Sequence, residues 1–184
     1  MPKKVISILE FLRTGKLAGL APGCTTDDVI RVLGKPDYEA QSPDDEDSRW
    51  FRYDSLEIWF HGQTRVVNRL TLQRFRSFWN PKNSHSFRQG IPQITRAKVD
   101  AWVIRETMDI ETIKRFLKTA NIAYRQNLWG NFVDQIELSS GVCLLFAIPE
   151  DISSGLSYMY VQDEELSRQQ FAKDYSEQGH AIES

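Results

Sequence analysis

Residues 23–40, GCTTDDVIRVLGKPDYEA, and residues 49–60, RWFRYDSLEIWF, decide the fold. Thr25 is an N-cap residue, because its hydroxyl can accept a hydrogen bond from an otherwise unpaired amide of the first turn. Asp28, three residues on, can reach back in a weak form of the capping box. Asp27 and Asp28 also lie at the positive end of the helix dipole. Val29, Val32 and Leu33 form an apolar stripe at helical spacing. Gly34 follows as a left-handed C-cap and Pro36 forbids continuation, so a helix of about two to three turns is predicted. In the second stretch, a two-residue turn at Asp54-Ser55 opposes Tyr53 to Leu56 and Phe51 to Ile58 on one face. The same register opposes Arg52 to Glu57 and Trp50 to Trp59 on the other. A slip of one residue loses both pairs and inverts the faces.

The string G-C-T-T-D-D-V-I-R-V-L-G-K-P, followed by an aromatic hairpin, resembles the GMT-x-x-x-V-x-x-x-LG-x-P signature. That signature marks small outer-membrane assembly lipoproteins of the SmpA/OmlA type and many soluble bacterial proteins, some of them similar to immunity proteins of polymorphic toxin systems. Gly23, Thr25, Val29, Leu33, Gly34 and Pro36 match it, and Cys24 departs from it. The resemblance spans roughly residues 17–75. It implies a helix packed on an antiparallel sheet and carries no catalytic residue, so it speaks to fold more than to function.

Outward from this hub, Val5, Ile8, Leu9 and Leu12 predict a first helix over 3–13 that ends at Gly15. Residues 39–48 read as a loop carrying Asp44, Asp45, Glu46 and Asp47. The loop is either a solvated tip or an anionic surface for a basic partner. Val66 to Phe75 reads as a third strand with Leu70 and Leu72 on one face. Residues 76–98 hold Pro81, Gly90 and Pro92 and read as loop or linker. From Arg74 to Lys98 the charges are all basic (Arg74, Arg76, Lys82, Arg88, Arg96, Lys98), with Phe75, Phe78, Trp79 and Phe87 interleaved. Such a mixture suits single-stranded nucleic acid, by phosphate pairing and base stacking. Its alternative is an aromatic edge to the core with solvated charges.

The second half reads as a repeat of the first, about 85 residues on. Ala101 to Ile104 reads as a strand. Asp109 is an N-cap, and Ile110, Ile113, Phe116 and Leu117 form the inner face of a helix ending near Asn121. Phe132–Leu138 and Val142–Ile148 form a hairpin about Ser139-Ser-Gly141. Leu156–Val161 is a last strand, with Leu156, Tyr158 and Tyr160 on one face. The expected fold is α+β, with antiparallel sheets, short helices on one face and pseudo-duplicated helix-hairpin-strand units. The units are 1–75, the connecting loop 76–98, 99–162 and a polar helix or tail 163–184, in one compact domain overall.

Composition bounds the function. A net charge of −2 over 184 residues gives no global argument for nucleic acid or membrane. Two cysteines exclude a disulfide scaffold, and no signal peptide or membrane span is read, so a cytoplasmic protein is expected. His61, His85 and His180 lack partners at metal-ligand spacing. Cys143 lies mid-strand among apolar residues, and Cys24 lies near a helix start but without a histidine beside it. No catalytic residue, metal site or cofactor is assigned, and the chain reads as no enzyme. The first functional expectation is a protein-binding module of immunity-like type, using Asp44, Asp45, Glu46 and Asp47 with Trp79 and Trp129 as anchors. The second is a single-stranded nucleic-acid-binding module using Arg74, Arg76, Trp79, Lys82, Phe87 and Arg88.

Overall fold

A computed structural model describes residues 4–41, 49–61, 64–73, 94, 97–99, 108–129, 133–146 and 156–163. In chain order the elements are β1 (Lys4–Ile6), α1 (Ile8–Thr14), α2 (Thr26–Leu33), β2 (Tyr38–Gln41), β3 (Arg49–Tyr53), β4 (Leu56–Phe60) and β5 (Val67–Gln73). There follow β6 (Ala97–Val99), α3 (Ile110–Thr119), β7 (Tyr124–Trp129), β8 (Val133–Leu138), β9 (Cys143–Phe146) and β10 (Leu156–Gln162). The fold is α+β. Eight strands form one antiparallel sheet in the order β2-β3-β4-β5-β10-β9-β8-β7. The strands β1 and β6 make a separate parallel pair.

Local signals explain the helices. Thr25 Oγ1 accepts from Asp28 N at 3.2 Å, while Asp28 Oδ2 accepts from Thr25 N at 2.9 Å, so both halves of the capping box close on α2. Asp109 caps α3 in the same manner, accepting from Thr112 N at 2.7 Å. Gly34 takes the positive φ of 79° but pairs it with ψ of −167°, so it is extended rather than left-handed helical. The first helix starts later than its periodicity suggests. Ser7 accepts from Glu10 N and caps α1 at Ile8. Residues 4–6 are instead a strand, because Val5 and Ile6 pair with Lys98 and Val99 across the chain. Val5 is consequently exposed at 60% and Ile6 fully buried, the reverse of a helical stripe.

The first hairpin has the expected register throughout, from Tyr53 with Leu56 to Trp50 with Trp59. Asp54 supports the tight turn with a φ of 59°, a conformation that asparagine and aspartate tolerate better than most side chains. Two expected loops are shorter than read. Residues 39–41 belong to the edge strand β2, opposite Arg49 to Phe51, and residues 97–98 belong to β6. Strand β7 was not foreseen at all; its sequence is polar, and its pairing partner β8 supplies the order.

The two runs of four strands meet at the centre of the sheet. There β5 pairs antiparallel with β10, with Thr71 opposite Tyr160 and Leu70 opposite Val161. One face is apolar across the join. Tyr53, Leu56, Ile58, Leu70, Leu72, Ile136 and Leu144 are all buried on it. The inner residues of α1 (Ile8, Phe11, Leu12), α2 (Val29, Leu33) and α3 (Ile113, Leu117) belong to the same continuous cluster. Each such side chain removed from water stabilises the fold by about 1.5–3 kcal/mol before entropy is counted. Leu156 joins this core rather than the face of Tyr160. A register shift between Leu156 and Tyr158 sets Leu156 opposite Phe146, while Tyr160 belongs with Cys143 and Leu145 to the other side.

Polar stitches tie the helices to the sheet. Gly23 N and Val67 N donate to Val67 O and Cys24 O, at 2.8 and 2.7 Å. Ser140 Oγ, in the turn between β8 and β9, donates to Leu12 O at 2.6 Å. Arg13 donates to Ala120 O at 3.2 Å, so the C-terminal ends of α1 and α3 touch.

Candidate functional site

The side chains that alternate with the core residues project from the sheet's second face. Pairing fixes one line of them across all eight strands: Tyr38, Arg52, Glu57, Thr71, Tyr160, Cys143, Glu137, Arg125. A second line runs Ala40, Trp50, Trp59, Arg69, Gln162. The two lines meet in an aromatic ladder. The Tyr38 and Trp50 rings lie 5.4 Å apart, tilted at 51°. Trp50 stacks on Trp59 at 5.8 Å and 21°. Next to Trp59 comes Arg69, whose guanidinium carbon lies 4.6 Å from the centre of the Tyr160 ring. Tyr38 is 56% exposed, and Trp50, Trp59 and Arg69 are half-buried. Stacked rings standing on strands present their edges outward, so the ladder is an apolar ridge with a cation at one end.

Charge on this face is mostly paired. Arg125 bonds Glu137 at 2.6 Å near the β7 edge, and Asn127 donates to the same carboxylate oxygen at 3.3 Å. Arg52 stands opposite Glu57. Arg69 stands opposite Trp59 and Gln162 and makes no ion pair with a described residue. Its Nε is buried without a hydrogen-bond partner among the described residues, as are Thr71 Oγ1 and Asn68 Oδ1. A buried unpaired polar group costs about 1–3 kcal/mol. Three such groups, on Asn68, Arg69 and Thr71 of the central strand β5, mark a place where stability has been given up.

The centre of the face is closed. Thr71, Glu57, Gln135, Cys143, Leu145 and Tyr160 are all buried. Burial raises the Cys143 thiol above its usual value, so at neutral pH it is a protonated apolar side chain and not a nucleophile. Cys24 and Cys143 are both free thiols. His61 is exposed, just past the end of β4. Among the described residues no group of three His, Cys, Asp or Glu side chains could hold a metal ion, and no helix is long and apolar enough to cross a membrane.

Of the expected contact residues, Trp129 alone lies among the described ones. Asp44, Asp45, Glu46 and Asp47, and the whole set Arg74, Arg76, Trp79, Lys82, Phe87 and Arg88, lie outside the described residues, as do His85 and His180. Trp129 ends strand β7 opposite Val133, rather than standing in a turn. Trp50 and Trp59 form the sheet pair that their register implies. What sequence reasoning missed is the company they keep. Tyr38 belongs to no expected strand, because the loop expected over 39–48 begins directly after it. Arg69 follows a bulge at Asn68 between the pairs Trp59–Arg69 and Phe60–Val67, which simple alternation cannot place. A signal was available: an aromatic cross-strand pair on the face opposite the core is ordinary only if something covers it. No protein-family model, curated protein or solved structure matches the chain.

Proposed function

We propose that the chain is a non-catalytic, protein-binding module of immunity-like type that holds its partner against the second face of the sheet. The observation that carries this reading is the half-exposed ladder Tyr38–Trp50–Trp59 ending at Arg69, which makes no ion pair with a described residue. Tryptophan, tyrosine and arginine are the residues from which binding hot spots are built. Strand pairing fixes their backbone, so little freedom is lost on association. An apolar group of the partner packs on the ring edges, while Arg69 supplies the charge that sets its orientation.

Two further parts belong to the same proposal. The sheet order supports a pseudo-duplication, in which α2 with β2–β5 and α3 with β7–β10 are equivalent units joined back to back at β5 and β10. Equivalent units paired in this way would leave only β2 and β7 as sheet edges. The capped α2, its Gly34–Pro36 stop and the following hairpin support kinship with the SmpA/OmlA-like proteins. A cytoplasmic location goes with that reading.

The test is parallel capture from lysate of the native host, using tagged chain and its Tyr38→Ala/Trp59→Ala variant. Circular dichroism first establishes that the two share a fold. One stoichiometric protein retained by the wild type and lost from the variant supports the reading. The same protein held equally by both contradicts it. Nucleic acid held by both, and released by nuclease, transfers the function to the basic stretch Arg74–Lys98.

A further inference from the structure

On the opposite side of the sheet from the ladder, a small depression opens where α2, β3 and the connection from β4 to β5 come together. Its floor is the edge-to-face pair Phe51–Phe60, ring centres 4.8 Å apart. Its rim carries Arg49, His61 and Arg65, with Thr26 and Glu39 completing it. The space is about 60 Å³. A water takes roughly 30 Å³ of liquid, and whole-ligand pockets start near 300 Å³, so the depression holds one compact polar group and not a metabolite.

Among the described residues the rim carries two guanidinium groups and an imidazole with a single carboxylate, Glu39, and Arg49, His61 and Arg65 make no ion pair with a described residue. Of the two acids in the first turn of α2, Asp28 is already bonded to Thr25 and Arg31. The Arg49, His61 and Arg65 side chains also leave from backbone that is tied down. Arg65 O accepts from both Thr26 N at 3.1 Å and Thr26 Oγ1 at 3.0 Å. Arg65 N donates to His61 O at 3.0 Å, and His61 N donates to Val66 O at 2.9 Å. Arg49 is held in register opposite Phe60. Arg65 keeps a φ of 53°, which an arginine adopts only where its surroundings hold it.

We infer that this depression is a binding site for a phosphate-type oxyanion, with Arg49 and Arg65 as the two clamping residues. Guanidinium groups present paired N–H donors that match phosphate oxygens bidentately, and two of them suit a doubly charged tetrahedral anion better than a carboxylate. The site is independent of the ladder and of any partner bound there.

The test uses the full chain and inorganic phosphate as probe, at constant ionic strength in chloride, followed by NMR and calorimetry. Acetate is run in parallel. The expected result is saturable binding that shifts the His61 ring and Arg65 amide signals, with phosphate at least about tenfold tighter than acetate. Arg49→Gln removes an exposed side chain from a strand. Arg65→Asn keeps a residue that tolerates positive φ. Each is expected to weaken phosphate binding about tenfold or more while leaving the thermal midpoint near that of the wild type. Non-saturable shifts, equal affinity for acetate, or unchanged binding in both variants would overturn the inference.

Discussion

Single residues set the ends of the helices and the weak points of the sheet. Thr25 both accepts from the Asp28 amide and donates to its carboxylate, so Thr25→Ala removes the cap of α2 and should cost about 1 kcal/mol in a denaturant titration. The hydrogen bonds from Thr25 hold the Asp28 carboxyl below its ordinary 3.8, and Thr112 does the same for Asp109. A depressed folded-state value gives stability that is complete above the unfolded value and lost as pH falls through the folded one. Asp54 acts in the opposite direction, because burial and the charge of Asp37 raise it; its contribution is present in acid and lost as pH rises through the raised value. The acid limb of the stability profile, below about pH 4, should therefore be shallower in Thr25→Ala than in the wild type. Thr71 offers the converse experiment. Its hydroxyl is buried and unpaired, so Thr71→Val should raise stability by about 1 kcal/mol, whereas most core changes lower it. A drop in midpoint would mean that the hydroxyl has a partner after all.

At the scale of elements, what was legible in the sequence is what is local. The α2 helix and the β3–β4 hairpin were readable to the residue, because a capping box, a glycine stop and a cross-strand charge and aromatic pair all lie within a few positions of one another. The elements missed or misplaced are those whose partners are far away. Residues 4–6 have helical spacing, yet pair with 97–99; Tyr38–Gln41 and Tyr124–Trp129 are polar edge strands ordered by their neighbours. The candidate site divided in the same way. The Trp50–Trp59 pair was readable, whereas Tyr38 and Arg69 needed the edge strand and the bulge. A contact between distant elements also decides how α1 ends. Gly15 has a φ of 70°, and a Cβ there would lie 2.7 Å from Ser140 O in the β8–β9 turn. Gly15→Ala meets both the left-handed penalty of about 1–2 kcal/mol and that clash. It should destabilise the β8–β9 turn as well as α1, which hydrogen exchange at Gly141 and Val142 would register as faster opening.

For the whole molecule, the telling feature is that one apolar cluster draws on α1, α2, α3 and strands from both runs. A shared core should melt once. Tryptophan fluorescence, to which Trp50 and Trp59 contribute from β3 and β4 and Trp129 from β7, and far-ultraviolet circular dichroism should give coincident unfolding curves; two separated transitions would mean that the halves are energetically distinct. The dichroism should also be dominated by strand, since strand exceeds helix among the described residues. The central claim concerns the other side of that sheet. Once a partner is captured, hydroxyl-radical labelling of side chains in free and bound chain tests it most directly. Tyr38, Trp50 and Trp59 should become protected, while Tyr124, exposed at the far edge, labels as before. Unchanged labelling of the three ladder residues in a saturated complex would place the partner elsewhere and contradict the account.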